Sequence, residues 1–509
     1  MFAAETGFEH RDMFSRTTMM SGSMYIVMAT QTEPNAYGLV INGDSVTTVA
    51  GEYFETVNPA TEKSFARVAR GREADIDRAV TAATDAFDDW SSTPPEERGR
   101  LLNAVAKEIR SEKEHLAQLE TRDNGKPLSH ARNDVETCAR YFEYYAGVAD
   151  KVHGDSIPLT DEYVDYTVRE PLGVTAQIIP WNLPSNIFGR SVAPALATGN
   201  TAVVKPAEQT PVTAVEIAKI ASKVGVPDGV LNVVPGYGDE AGAPLSSHPD
   251  VDGVSFTGSV PTGIEVGKSA IENVTNVHLE LGGKSPNVVW PDAHLDSAID
   301  STMTGIFANA GQVCSAGSRL IIHEDIKDEF LNELVERIEQ MDIGAGGTDP
   351  DMGPLVSEEH FKKVIHYLDL GHEEAGDPLV GGKAVERDGY FVEPTVFDNV
   401  DNNMRIAQEE IFGPVLSVIT FSTEAEAIEV ANDVDYGLVA GIHTQDMGRA
   451  HRFARDVHAG QVYVNEWFAG GEETPFGGFK QSGFGREKGL AAVDAYTQVK
   501  NVCMDITPK

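Results

Sequence analysis

The sequence predicts an α/β fold built on parallel sheets, and three observations carry that prediction. Between Val174 and Gly283 the short apolar runs VTAQIIP, TAVVKP, VLNVVP, GVSFTG and VHLELGG are separated by helix-compatible stretches such as TPVTAVEIAKIASKVG. Strands alternating with helices in this way are connected by crossovers and pair in parallel. A second set of the same texture begins near Asn287. The chain has 509 residues, 41% of them hydrophobic and 23% charged, which suits two or three domains at roughly 150 residues each. No apolar run approaches the roughly 20 residues of a membrane-spanning helix.

Taken in order, the pattern turns helical after Arg72 with ADIDRAVTAATDAFDDW (74–90). ERGRLLNAVAKEIRSEKEHLAQLE (97–120) reads as one further helix, with Leu101, Val105 and Ile109 four apart on one face and a stop at Asn124-Gly125 and Pro127. VETCARYFEYYAGVADKV (135–152) is a third, followed by a β-rich segment around VDYTVREPLGV (164–174). The strand and helix alternation comes next, Gly225 being a good helix stop. The second set continues through helices near 296–309 and 325–340 and strands LSVITF and GQVYVN. No linker or low-complexity tract separates the sets, so two interlocked domains are expected.

Charge excludes several partners. With 79 acidic against 40 basic residues the formal net charge is -39, and only 18 lysines are present. Nucleic acid is repelled by such a surface. Self-repulsion of this size opposes compaction in dilute buffer and is screened in molar salt, where the Debye length is about 3 Å, so the composition reads as that of a halophile's cytosolic protein. Cys138, Cys314 and Cys503 are too few and too far apart for a disulfide framework or a zinc site; a reduced, cytoplasmic compartment and no metal are expected. The first 30 residues hold six of the twelve methionines and no signal-peptide pattern. Met24 or Met28 is the expected native start, with disorder before it.

Several residues stand out on chemistry alone. GYGDEAG (236–242) has the spacing GxGxxxG rather than GxGxxG, a weak dinucleotide signal. In VSFTGSVPTGIEVGKSA a strand ends at Gly258-Ser259 and a helix follows with Gly263 near its start; such a helix N-terminus can hold a pyrophosphate, and a plain strand-to-helix turn explains it equally well. Lys205 ends the buried-looking strand TAVVKP with Glu208 three residues later. It stands either where α/β folds bind ligands or on a solvated surface. In VHLELGG, Val277, Leu279 and Leu281 fall on one strand face and His278 and Glu280 on the other. Glu280 is a candidate base with a tunable pKa, or part of a half-exposed face. Cys314, flanked by small residues in NAGQVCSAGSR, is a candidate nucleophile or an inert small hydrophobe.

Together these pieces resemble the NAD(P)-dependent aldehyde dehydrogenase superfamily over nearly the whole chain from about Gly38. The ordered blocks are PWN (180–182), KPAEQTP (205–211), FTGS (256–259), ELGGK (280–284), GQVCSAGSR (311–319), EEIFGPV (409–415) and PFGGFKQSGFGRE (475–487). The resemblance implies an aldehyde dehydrogenase-like fold. A Rossmann-type cofactor domain would cover 38–150 and 172–281, an α/β catalytic domain 282–481, and a small β oligomerisation arm 151–171 and 482–509, with 1–37 as an N-terminal extension, disordered in part. It implies Cys314 as nucleophile, its thiolate favoured by nearby dipoles; Asn182 as oxyanion donor with the Cys314 N–H; Glu280 as the base that hydrolyses the thioester, against the acyl-transferring relatives; and Glu487 as an outward proton relay. For the cofactor it implies Lys205 and Glu208 at the adenosine ribose, Ser259 beside Gly258 at the pyrophosphate, Pro180 and Trp181 along the site, and Glu410 with Phe412 at the nicotinamide ribose. NAD is expected over NADP because Glu208 repels a 2'-phosphate; NADP is the alternative. A homodimer or homotetramer follows from the arm.

For the substrate, Arg190 in PWNLPSNIFGR holds a place where many relatives acting on apolar or amine-bearing aldehydes carry a tryptophan. An arginine there resembles the succinate-semialdehyde and lactaldehyde dehydrogenase groups, although the second arginine of the semialdehyde group is Ala308 here. Arg190, Ile187 and Phe476 are therefore expected at the aldehyde tunnel, with a small carboxylated or hydroxylated aldehyde as substrate. A broad-specificity or betaine-type enzyme and a catalytically silent relative are the alternatives.

Overall fold

The apolar runs become two sheets that meet across one cavity. In the computed structural model, which describes residues 35–508, the first sheet is ordered Gly483–Phe484, Asn276–Glu280, Gly253–Thr257, Val174–Ile179, Thr201–Pro206, Leu231–Val233, Leu39–Ile41, Asp44–Val46. Its five middle strands run parallel. Every residue of Val174–Ile179, Thr201–Pro206 and Gly253–Thr257 is buried, as expected of a sheet covered on both faces, which is why these strands read as continuous apolar runs instead of alternating ones. The second sheet is parallel throughout, ordered Thr395–Phe397, Val415–Phe421, Arg319–His323, Pro286–Val289, Val439–His443, Gln461–Val464.

Helices Glu73–Ser92, Leu128–Val148, Pro184–Ala197 and Val212–Lys223 cover the first sheet and share its core. The segment expected as one helix from 97 to 120 is two, Pro95–Ser111 and Lys113–Asn124, broken at Glu112 (φ -96°, ψ 10°). No glycine or proline marks that break. Both helices pack against Leu128–Val148 and Val212–Lys223. Gly125 ends it in the left-handed region at φ 93°.

A small antiparallel sheet stands apart, with Thr497–Asp505 paired along its length to Tyr163–Pro171, and Ser156–Ile157 beyond. The expected boundary at 482 needs correction on its near side. Gly483–Phe484 pairs with Asn276–Glu280 on the first sheet, and Ala492 and Val493 lie in the first core. Only the last strand belongs to the small sheet. The expectations about the start codon and about disorder before Met24 or Met28 lie outside the described residues; the first described strand, Asn35–Tyr37, pairs in parallel with Lys63–Ala69.

Candidate active site

From Val174–Ile179 the chain builds the first sheet in one direction through Thr201–Pro206 and Leu231–Val233, then returns to the other side for Gly253–Thr257 and Asn276–Glu280. At such a switch a crevice opens beyond the strand carboxyl ends. A cavity of about 320 Å³ lies there, lined by Pro180, Trp181 and Asn182 after one strand and by Thr257, Gly258 and Ser259 after its neighbour. Glu280 closes the row, and Cys314, Glu410 and Phe412 face it from segments that precede strands of the second sheet. Ser259 caps helix Val260–Ile271 by accepting from the Thr262 N–H. The Leu281 side chain packs closely on the helix at Gly263, where a Cβ would lie 2.4 Å from its Cδ2. Lys205 and Glu208 pair with each other at 3.1 Å, and Glu208 lines a cavity that adjoins the main one and shares Gln209 and Ser357 with it. The weak GYGDEAG turn contributes Glu240, which takes Arg70 at 2.7 Å.

The loop that carries Cys314 begins where helix Leu295–Phe307 ends. Asn309, Ala310 and Gly311 have φ of 51°, 55° and 72°, a left-handed run that costs a non-glycine residue roughly 1–2 kcal/mol. Gly311 fits because a Cβ there would lie 2.1 Å from the Gly413 carbonyl oxygen. Gln312 holds the run together: its Nε2 donates to Asn309 O at 2.9 Å and its Oε1 accepts from the Val356 N–H at 2.9 Å. Asn182 Nδ2 donates to Gln312 O at 2.9 Å, which leaves the second amide hydrogen for a ligand. Against the expectation that nearby dipoles favour the Cys314 thiolate, burial pushes the pKa of this half-buried thiol up to about 12; Arg190 opposes this, and the Glu280 and Glu410 charges add to it.

Behind Cys314 lies an aromatic cluster of Tyr463, Trp467 and Phe476, with Phe468 beside it. Trp467 Nε1 donates to the Ser315 carbonyl at 3.2 Å, tying the cluster to the loop. Arg190 stacks over Phe476 at 5.0 Å and forms a buried ion pair with Glu487. Glu487, expected as an outward relay, is thus 1% exposed and bound to a cation. Ile187 is a correction. Helix Pro184–Ala197 is buried almost throughout, and Ile187 belongs to the core of the first sheet rather than to a tunnel. Glu280 is buried with its Oε1 3.2 Å from His278 Nε2. Burial raises its pKa; the His278 hydrogen bond lowers it and the Glu487 charge raises it again.

The aldehyde dehydrogenase family model matches residues 46–502. This chain belongs to the aldehyde dehydrogenase family. Among similar proteins, a hydroxyisobutyraldehyde dehydrogenase of Mycolicibacterium austroafricanum is 45% identical over 484 residues, 94% of this chain and 95% of the relative. A betaine aldehyde dehydrogenase of Bacillus subtilis is 43% identical, covering 92% of this chain and 98% of its own. The NAD+ complex of an aldehyde dehydrogenase from Bacillus cereus superimposes with a TM-score of 0.92 at 44% identity, covering 93% of this chain and 97% of that one.

The cavity of this aldehyde dehydrogenase fits a dinucleotide. A Cβ at Gly282 would lie 2.4 Å from Glu410 Oε2, and one at Gly258 would lie 2.5 Å from Phe256 Cζ, so bare backbone keeps the passage open. The N-terminus of helix Val260–Ile271 begins at Ser259 on the cavity wall, where free N–H groups suit phosphate oxygens. Sequence reasoning missed part of this wall. His360 packs on Trp181 at 5.1 Å, and its Nε2 lies 2.7 Å from the Phe412 carbonyl oxygen, while Lys363 and Gln209 also line the space. Nothing local marks His360 or Lys363. Phe412 is itself left-handed at φ 62°, an outlier for so bulky a residue that points to a constrained site.

Proposed function

We propose that this enzyme oxidises a small polar aldehyde, hydroxylated rather than carboxylated, to its acid. The activity class is NAD-dependent aldehyde oxidation, in keeping with the family, its named relatives and a neighbour solved with NAD+. The observation that carries the substrate reading is the Arg190–Glu487 pair. A guanidinium whose charge is already matched has little left for a substrate carboxylate, yet its Nη2 is buried without a partner among the described residues, a donor suited to a neutral hydroxyl. The hydroxyaldehyde named for one relative agrees with this reading.

Cys314 attacks the aldehyde carbon once its proton has passed to solvent water in the cavity, and the oxyanion accepts hydrogen bonds from the free Asn182 amide N–H and the Cys314 N–H, donors fixed before charge develops. Bound NAD supplies the hydride acceptor. Glu280 then takes a proton from the water that hydrolyses the thioester. Lys205, Ser259, Glu410 and Phe412 hold the cofactor, and Glu208 favours NAD over NADP. The expected domain division, corrected near 482, completes the reading, with the free edge of Thr497–Asp505 pairing with a second subunit; Val499 on that strand is 60% exposed and needs cover. A molar-salt cytoplasm suits the net charge of -39, so melting temperature and activity should rise from dilute buffer to roughly molar KCl; a fall in both would remove the halophilic reading.

The test is NAD reduction across small hydroxyaldehydes, semialdehydes and betaine aldehyde in molar KCl. Hydroxyaldehydes should give the highest kcat/KM. Betaine aldehyde or a semialdehyde in first place overturns the substrate assignment.

A further inference from the structure

Beside the candidate base stands a titratable side chain that the reaction described above does not use. His278 precedes Glu280 by two residues on the strand Asn276–Glu280, so both side chains leave one face. They are 5% and 2% exposed and lie 3.2 Å apart, Nε2 to Oε1. Among the described residues His278 is the one side chain hydrogen-bonded to the Glu280 carboxylate, and its Nδ1 has no partner. The ring lies against bare backbone, since a Cβ at Gly485 would fall 2.2 Å from its Cδ2.

His278 also lines a second cavity of about 590 Å³, distinct from the cofactor cavity, together with Gly485, Arg486, Asp494 and Gln498. Asp494, Gln498 and Gly485 are exposed, so that cavity opens to solvent. The imidazole thus stands between Glu280 and a second route to water. Glu487, the other acid nearby, is committed to Arg190.

We propose that His278 is a positioning residue that shares the Glu280 proton and passes it to solvent through the second cavity. The inference rests on Glu280 being the hydrolytic base. Water adds its oxygen to the acyl carbon and gives one proton to Glu280. Glu280 hands that proton to His278 Nε2, leaving a carboxylate beside an imidazolium, which then loses its Nδ1 proton to water that reaches the buried Nδ1 from the second cavity. The C–S bond breaks with its electron pair passing to Cys314, and the acid leaves.

The charged groups around the ring agree with such a handover. Burial pulls the imidazole pKa down, but the hydrogen bond to Glu280 and the charges of Glu487 and Glu280 outweigh it, with Arg190 opposing them, and the net direction is up. Arg486 and Asp494 stand at the mouth of the cavity.

The experiment compares wild type, His278→Gln and His278→Ala by stopped-flow NADH formation with the NAD-loaded enzyme. The hydride burst should be unchanged while steady-state turnover falls about tenfold in both variants. The acid limb of the steady-state profile should move to higher pH in His278→Ala, because the carboxylate loses the hydrogen bond that held its pKa down. Added imidazole, entering the second cavity, should restore part of the His278→Ala rate. Folded variants with wild-type turnover and an unmoved acid limb overturn the proposal. If the variants do not fold, the wild type decides: a curved solvent-isotope inventory for acyl-enzyme decay means two protons in flight and supports the pair, and a linear one overturns it. Unimpaired turnover in Glu280→Gln instead sinks the base assignment, a separate result.

Discussion

On one side of Cys314 the wall consists of strand ends and the turns that follow them, Pro180–Asn182, Thr257–Ser259 and Glu280–Gly282. On the other it consists of aromatic rings and a buried ion pair whose members, Arg190 and Glu487, lie far apart in the sequence. The cofactor side is fixed by backbone, so each residue there contributes locally. The aromatic side is fixed by mutual neutralisation, so removing one partner exposes the cost of the other.

The largest effect belongs where the two walls meet. Cys314→Ala should lower turnover by ~10⁴-fold or more while NAD binding, followed by fluorescence titration, stays near wild type. Loss of both together would mean that the walls are not separable.

Next comes Arg190→Ala, which leaves the Glu487 charge buried and uncompensated and should cost about 3–5 kcal/mol in chemical denaturation. Arg190→Met combined with Glu487→Leu should recover most of that. A single variant as stable as wild type would break the contrast.

Glu280→Gln should keep the hydride burst and slow the steady state by about 10²-fold or more. Burial holds the Glu280 carboxyl above the usual range, so wild-type turnover should fall on acidification at a higher pH than for a free carboxylate. That limb should vanish in Glu280→Gln.

The smallest effect is expected for Ser259→Ala on the backbone-built wall. Loss of the helix cap should cost about 1 kcal/mol of stability and raise the NAD KM a few-fold with kcat unchanged. A stability loss matching that of Arg190→Ala would show this wall to be as interdependent as the other.

How far the sequence could be read follows the same division. Ser259 and Glu280 were legible because strand-then-turn patterns put them at the carboxyl edge of a sheet, a property of local order, whereas Asn182 was reached only through the family resemblance. The Arg190–Glu487 pair was not legible, since no short-range pattern joins those positions. Ile187 misled because helix Pro184–Ala197 is buried almost all round, leaving no polar face from which to infer direction. The break at Glu112 falls where no glycine or proline stands, and the raised Cys314 pKa is set by burial. Neither leaves a trace in residue type.

The left-handed run ahead of Cys314 bears on how this enzyme can be re-engineered. The position of the sulfur is written in backbone handedness at Asn309, Ala310 and Gly311 and locked by amides from Asn182 and Gln312. Randomising those three positions would discard most clones whatever their polarity, with β-branched residues the worst tolerated. Specificity libraries therefore belong at Phe468 and Ala469, which pack against the same aromatic cluster as Cys314 and lie outside that left-handed run.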